Sequence, residues 1–146
     1  MKKKTLIIAL FVLIGAAIYP FESTVVPEWT LEVRDVNDTL CPNMKVTESW
    51  DHYSLFIDGG GNTEDRFTDQ NGLVIFPERT VRAVGIRRVV VPVIAHVLLI
   101  AHGSVGANGA VWASGLKDVA WLSYKPGKPL PFKMRVEECI PRKDLE

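Results

Sequence analysis

The residues in this chain best equipped for chemistry fall into three sets. Asp58, Asn62, Glu64, Asp65 and Asp69 crowd oxygen donors into one stretch, and a calcium ion asks for several such ligands. Their spacing departs from that of an EF-hand loop, so a solvated acidic loop is the simpler reading. His52, His96 and His102 are imidazoles of the kind that bind zinc, yet no HExxH or comparable ligand spacing joins them. His96, alone in an apolar segment, is expected to be a core histidine bonded to backbone. His102-Gly103-Ser104 sets a hydroxyl beside a base, but near-adjacent residues rarely reach triad geometry, and no G-x-S-x-G elbow is present. No catalytic, cofactor-binding or metal residue is assigned on these grounds. The alternative is a small hydrolase or metal-dependent enzyme that uses His102 or the acidic loop from Asp58 to Asp69.

These groups must be positioned by something, and the clearest positioning element is FTDQNGLVIFPERTV, from Phe67 to Val81. The Asp69 carboxylate can accept backbone N–H bonds from the turn, and Gly72 can take a positive φ at little cost. Leu73 and Ile75 then point one way, Val74 and Phe76 the other, and Pro77 ends the ladder. The stretch reads as a turn that aims a strand.

Other strands follow from alternation. Trp29 to Arg34 puts Trp29, Leu31 and Val33 on one face, the mark of a half-buried strand. Asp35-Val36-Asn37-Asp38 supplies turn chemistry and Pro42-Asn43 punctuates again. Lys45 to Trp50 alternates weakly, with Val46 inward. Tyr53 to Ile57 is β-prone and runs into the Asp58-Gly59-Gly60-Gly61-Asn62 loop. Arg66 to Thr68, Leu73 to Phe76, Ala110 to Ala113, Ala120 to Tyr124 and Phe132 to Val136 complete the set. Lys125-Pro126-Gly127-Lys128-Pro129 separates the final two. Short strands with frequent turns predict a seven-stranded β-sandwich whose core takes Trp29, Leu31, Val33, Val46, Leu73, Val136 and either Ile75 or its neighbours Val74 and Phe76.

Val89 to Ala101 breaks the pattern, being apolar almost all round with Pro92 near its start. Proline is tolerated in a first turn, which predicts a short helix within this segment, packed against the sandwich. A buried strand is the alternative that periodicity leaves open.

The N-terminus reads as an address. Lys2-Lys3-Lys4 precede an apolar run from Leu6 to Ile18, and Gly15-Ala16-Ala17 offers small residues for cleavage. The apolar stretch continues to Phe21, slightly short of the roughly 20 residues of a spanning helix. Residues 1–23 are thus a signal peptide or an uncleaved anchor, with 24–146 exported to a periplasmic or extracellular compartment, held at the inner membrane by residues 5–21 if the segment stays. Setting those three lysines aside from the 17 basic residues leaves 14 against 17 acidic ones, a net of −3. That balance argues against nucleic acid. Arg79, Arg82, Arg87 and Arg88 read as the solvated face of one segment. Cys41 and Cys139 are the only cysteines, and an exported domain with two usually pairs them. The first and last strands of a sandwich can lie close enough for that bridge.

Val33-Arg34-Asp35-Val36-Asn37, then Pro42-Asn43-Met44-Lys45-Val46, then Thr68 to Pro77 (TDQNGLVIFP) resemble the pattern of carboxypeptidase regulatory-like domains. In these prealbumin-like, or transthyretin-like, sandwiches a strand, a P-x-x-x-V stretch and a T-D-x-x-G-x-V-x-F hairpin recur in this order. The likeness covers Trp29 to Pro77, makes Asp69, Gly72, Phe76 and Pro77 its turn motif, and leaves 79–109 as a helical insertion. It implies a Greek-key sandwich that serves as a non-catalytic module on exported or surface proteins, without cofactor, meeting a protein partner of unknown identity. The same fold hosts a hydrolase of a purine-breakdown intermediate, but its Tyr-Arg-Gly-Ser ending is absent from the Ile140 to Glu146 tail.

Overall fold

The computed structural model describes residues 2–52, 61–98, 106–115 and 118–140. The chain is mainly β. Among the described residues, two helices, α1 (Lys2–Ile18) and α2 (Gly85–Leu98), accompany nine strands. These are β1 (Pro20–Val26), β2 (Trp29–Arg34), β3 (Lys45–His52), β4 (Asn62–Phe67), β5 (Leu73–Phe76), β6 (Arg79–Val84), β7 (Ala107–Ser114), β8 (Val119–Tyr124) and β9 (Lys133–Arg135). They form three sheets, ordered β1-β6, β5-β2-β9 and β4-β3-β7-β8. All neighbours run antiparallel except β2 and β9, which are parallel.

The two larger sheets share one apolar core, as in a β-sandwich. Strict alternation puts Trp29, Leu31 and Val33 of β2 inside, facing Val46 of β3 and Val111 and Ala113 of β7. Met134 and Val136 close the core from the C-terminal side. Trp29 keeps its indole N–H satisfied by donating to the Pro131 carbonyl at 2.8 Å, as a buried Trp must. On β5 the inward pair is Val74 and Phe76, while Ile75 points out and Leu73 is half-buried. The expected inward place of Leu73 is therefore corrected: facing residues in this ladder are fixed by pairing with β2, where Leu31 opposes Val74.

The disulfide joins Cys41 to Cys139, with Cα atoms 5.3 Å apart across 98 residues of chain. Cys41 follows β2 by one turn. β9 lies beside β2, and that adjacency brings Cys139 to it.

Three expectations need correction. The Asp69–Gly72 turn does not close a hairpin, because β4 and β5 belong to different sheets; it carries the chain from one sheet to the other. The 79–109 stretch is not helical throughout. Arg79–Val84 forms β6, antiparallel to β1, and Ala107–Gly109 already pairs with β3 and β8. The helix does form, but it starts at Gly85 and packs on β6 and α1 instead of the sandwich. Of its described apolar side chains only Val91 is buried. α1 is likewise exposed along its length. No helix among the described residues is long and apolar enough to cross a membrane. The expected strand Tyr53 to Ile57 lies outside the described residues.

Candidate functional site

The corner between β4 and β5 is built by side chains standing in for backbone. Asp69 Oδ1 accepts from the N–H groups of Asn71 and Leu73, both at 2.8 Å. Gly72, at φ +69°, sits so close to the Val33 carbonyl that a β-carbon would lie 3.0 Å from it. Its own carbonyl accepts from Val33 N–H. Thr68, buried, donates its hydroxyl to the Cys41 carbonyl at 2.5 Å and accepts from Met44 N–H at 2.8 Å. One turn thereby fastens both sheets. The Leu73 and Asn71 N–H bonds hold the Asp69 carboxyl below its usual range. Asp35 repeats the device after β2, with Oδ1 accepting from Asn37 and Thr39 N–H.

Beyond the corner the sandwich is open. Among the described strands, β4 pairs with β3 alone and β5 with β2 alone, and residues of both line one pocket. Between them lies a shallow groove of about 480 Å³ lined by Glu64, Arg66, Phe67, Asp69, Leu73 and Ile75. Phe67 is 37% exposed and Ile75 51%, so the apolar lining meets solvent. Arg66 spans the gap: it donates to the Ile75 carbonyl at 2.8 Å and to Glu64 at 2.6 Å.

Glu64 links the groove to a buried charge cluster. Arg79 reaches both Glu64 and Glu48, the latter at 2.8 Å, with its guanidinium 3.9 Å over the Trp50 ring. Glu48 is fully buried. Its Oε1 finds no partner among the described residues. Burial pushes the Glu48 carboxyl up, and the Arg79 bond offsets this only in part. Hydrogen bonds from Arg66 and Arg79 hold Glu64 below its usual range. Burial also works against the Arg79 charge, but two carboxylates outweigh it and keep the guanidinium charged.

The acidic set read as a calcium candidate is thus dispersed. Glu64 and Asp65 alternate across β4; Asp65 pairs with Lys45 at 2.7 Å and Thr47, while Asp69 is spent on its turn. Asn62 pairs in the ladder opposite Trp50. No metal-competent cluster of His, Cys, Asp and Glu occurs among the described residues. His52 closes β3, where burial lowers its pKa. Asp58, His102 and Ser104, and the side chain of His96, lie outside the described residues. The four arginines do not share a solvated face: Arg79 is committed to the buried cluster, and Arg88 donates to the Phe21 carbonyl and Ser23. The Glu48–Arg79–Glu64 cluster went unread because its members are far apart in sequence. The only local hint was the Glu64–Arg66 pair on one strand face. No protein-family model matches the chain, and no curated protein matches it.

Proposed function

We propose that this chain is an exported, membrane-tethered, non-enzymatic interaction module, built on a prealbumin-like Greek-key sandwich whose open β4/β5 edge meets a protein partner. The observation that carries the reading is the groove itself: the β4 and β5 edges, which join no further described strand, flank exposed Phe67 and Ile75. An extended peptide adds to such an edge by main-chain hydrogen bonds, with alternate side chains entering the groove.

Export agrees with the Cys41–Cys139 bridge, since such bonds persist in oxidising compartments. Retention of residues 1–23 is supported by what they hold. Pro20 to Ser23 pair with Val84 to Val81, and the Tyr19 carbonyl accepts from Gly85 N–H. Gly85 lies directly on the Ala16 carbonyl, within the stretch offered for cleavage. α1, at roughly 26 Å for 17 residues, falls a little short of a hydrocarbon core of about 30 Å. Bilayer thinning and snorkelling of Lys3 and Lys4 accommodate such a mismatch.

A photo-crosslinking residue at Ile75 of the full chain, activated in intact membranes, tests the partner edge. A discrete protein adduct at 75, lost when Phe67→Lys is added, is expected. The same residue at Trp121, exposed on β8 at the far edge, should give none. Identical products from both positions, or none from 75, would overturn the reading.

A further inference from the structure

α2 presents an apolar stripe that none of the described residues covers. Ile86, Val89, Val90, Val93 and Ile94 recur at helical spacing, and all five are exposed, Val89 at 67%. The helix leaves the ribbon where α1 enters it, Gly85 against Ala16, so its stripe continues the apolar surface of α1 (Leu6, Leu10, Phe11, Leu13). A monomeric soluble protein rarely exposes a patch of this extent.

The charges say what covers it. Neither helix contains an acidic residue; their charged groups are Lys2, Lys3 and Lys4 at the free end of α1 and Arg87 and Arg88 in the first turn of α2. Arg88 is held against β1 through Phe21 and Ser23, level with the base of both helices. Apolar flanks with cations at their margins complement an anionic bilayer: acyl chains along the helices, phosphates at the arginines.

We infer that α2 is a second membrane-seated element: its Ile86/Val89/Val90/Val93/Ile94 stripe lies in the lipid beside α1, with Arg87 and Arg88 at headgroup level. This rests on the reading that α1 holds the chain at a membrane. A lone anchor would leave α2 in water, whereas a paired insertion buries both helices in one apolar phase.

The test places an environment-sensitive fluorophore on an added cysteine, native disulfide left oxidised, in full-length protein reconstituted into vesicles of phosphatidylcholine and phosphatidylglycerol. The positions are Leu10→Cys on α1, Val89→Cys and Val93→Cys on α2, and Ile75→Cys on the sandwich. Blue-shifted emission with quenching by spin-labelled acyl chains is expected at 10, 89 and 93, and water-like emission at 75. A lipid-quenched signal at 10 with water-like emission at 89 and 93 overturns the inference and leaves the tether standing. Blue-shifted but unquenched signals at 89 and 93 also overturn it, because protein would then cover the stripe. No quenching at any position defeats the tether and the inference together.

Discussion

The same residue types meet opposite fates in the two halves of this molecule. In the sandwich, Trp29, Leu31, Val33, Val74 and Phe76 are withdrawn from water, and β2 and β5 can be read by which face they hide. Around the β1–β6 ribbon, Leu10, Phe11, Val89 and Val93 stand in the open, and the helices that carry them pack mainly on each other, on β6 and, through Arg88, on β1. Burial at about 25 cal/mol per Å² accounts for the apolar core of the first region. Applied to the second, the same rule finds apolar surface that the described residues leave exposed, which lipid would cover on the membrane reading proposed above.

The disulfide gives the largest expected contrast. Cys41→Ser should cost the sandwich about 4 kcal/mol, from closure of a loop of 98 residues in the unfolded chain. Thermal unfolding in detergent should show it, with vesicle binding at low temperature unchanged. Arg79→Ala should cost about 3 kcal/mol, because it strands the buried Glu48 carboxylate. Glu48→Gln, which keeps a bond to Arg79, should cost far less in the same denaturant titration. Leu31→Ala should likewise cost about 3 kcal/mol, whereas Val89→Ala should leave unfolding within about 0.5 kcal/mol of the parent. Equal losses at 31 and 89 would erase the distinction between the regions.

The pH dependence divides the charge cluster. Glu64 has a depressed folded pKa, so its contribution is present above the ordinary 4.5 and is lost as pH falls through the folded value. Glu48 is raised, so its contribution is full below 4.5 and fades as pH rises through the folded value. In melting temperatures taken from pH 3 to 8, Glu64→Gln should flatten the acid limb, and Glu48→Gln should remove the decline toward neutrality. The smallest effect is expected on the outer face of the four-stranded sheet. There Trp112 and Trp121 stack across β7 and β8 at 5.2 Å, and Trp121→Ala should cost about 0.5 kcal/mol.

What could be read from sequence follows from what is local. Trp29-Leu31-Val33 alternates because β2 has one wet face, and the Asp69–Gly72 turn is visible because its chemistry lies within a few residues. Which sheet each flank of that turn joins depends on β2 and β3, far away in the chain, so a corner and a hairpin look alike. The β1–β6 ribbon was hidden for another reason. Pro20 and Phe21 extend an apolar run and Arg79-Thr80-Val81-Arg82 resembles a solvated segment, so neither half shows the period of a strand buried on one side. The Glu48–Arg79 pair unites residues 31 apart, and no pattern in either neighbourhood announces it.

β1 deserves a last look as a mechanical part. Its first residues pair with β6 beside the helices, while Val25 and Val26 are fully buried among the core residues, Val26 so tightly that Gly109 has no room for a β-carbon. One strand, its register shifted between Thr24 and Val26, therefore leads from the α1 end directly into the sandwich core. A domain on a loose leash sweeps a large volume and meets partners at many angles. On the tethered reading proposed above, this one would be mounted like a bracket, at fixed height and orientation, and a partner at the β4/β5 edge would itself sit near the surface that holds α1.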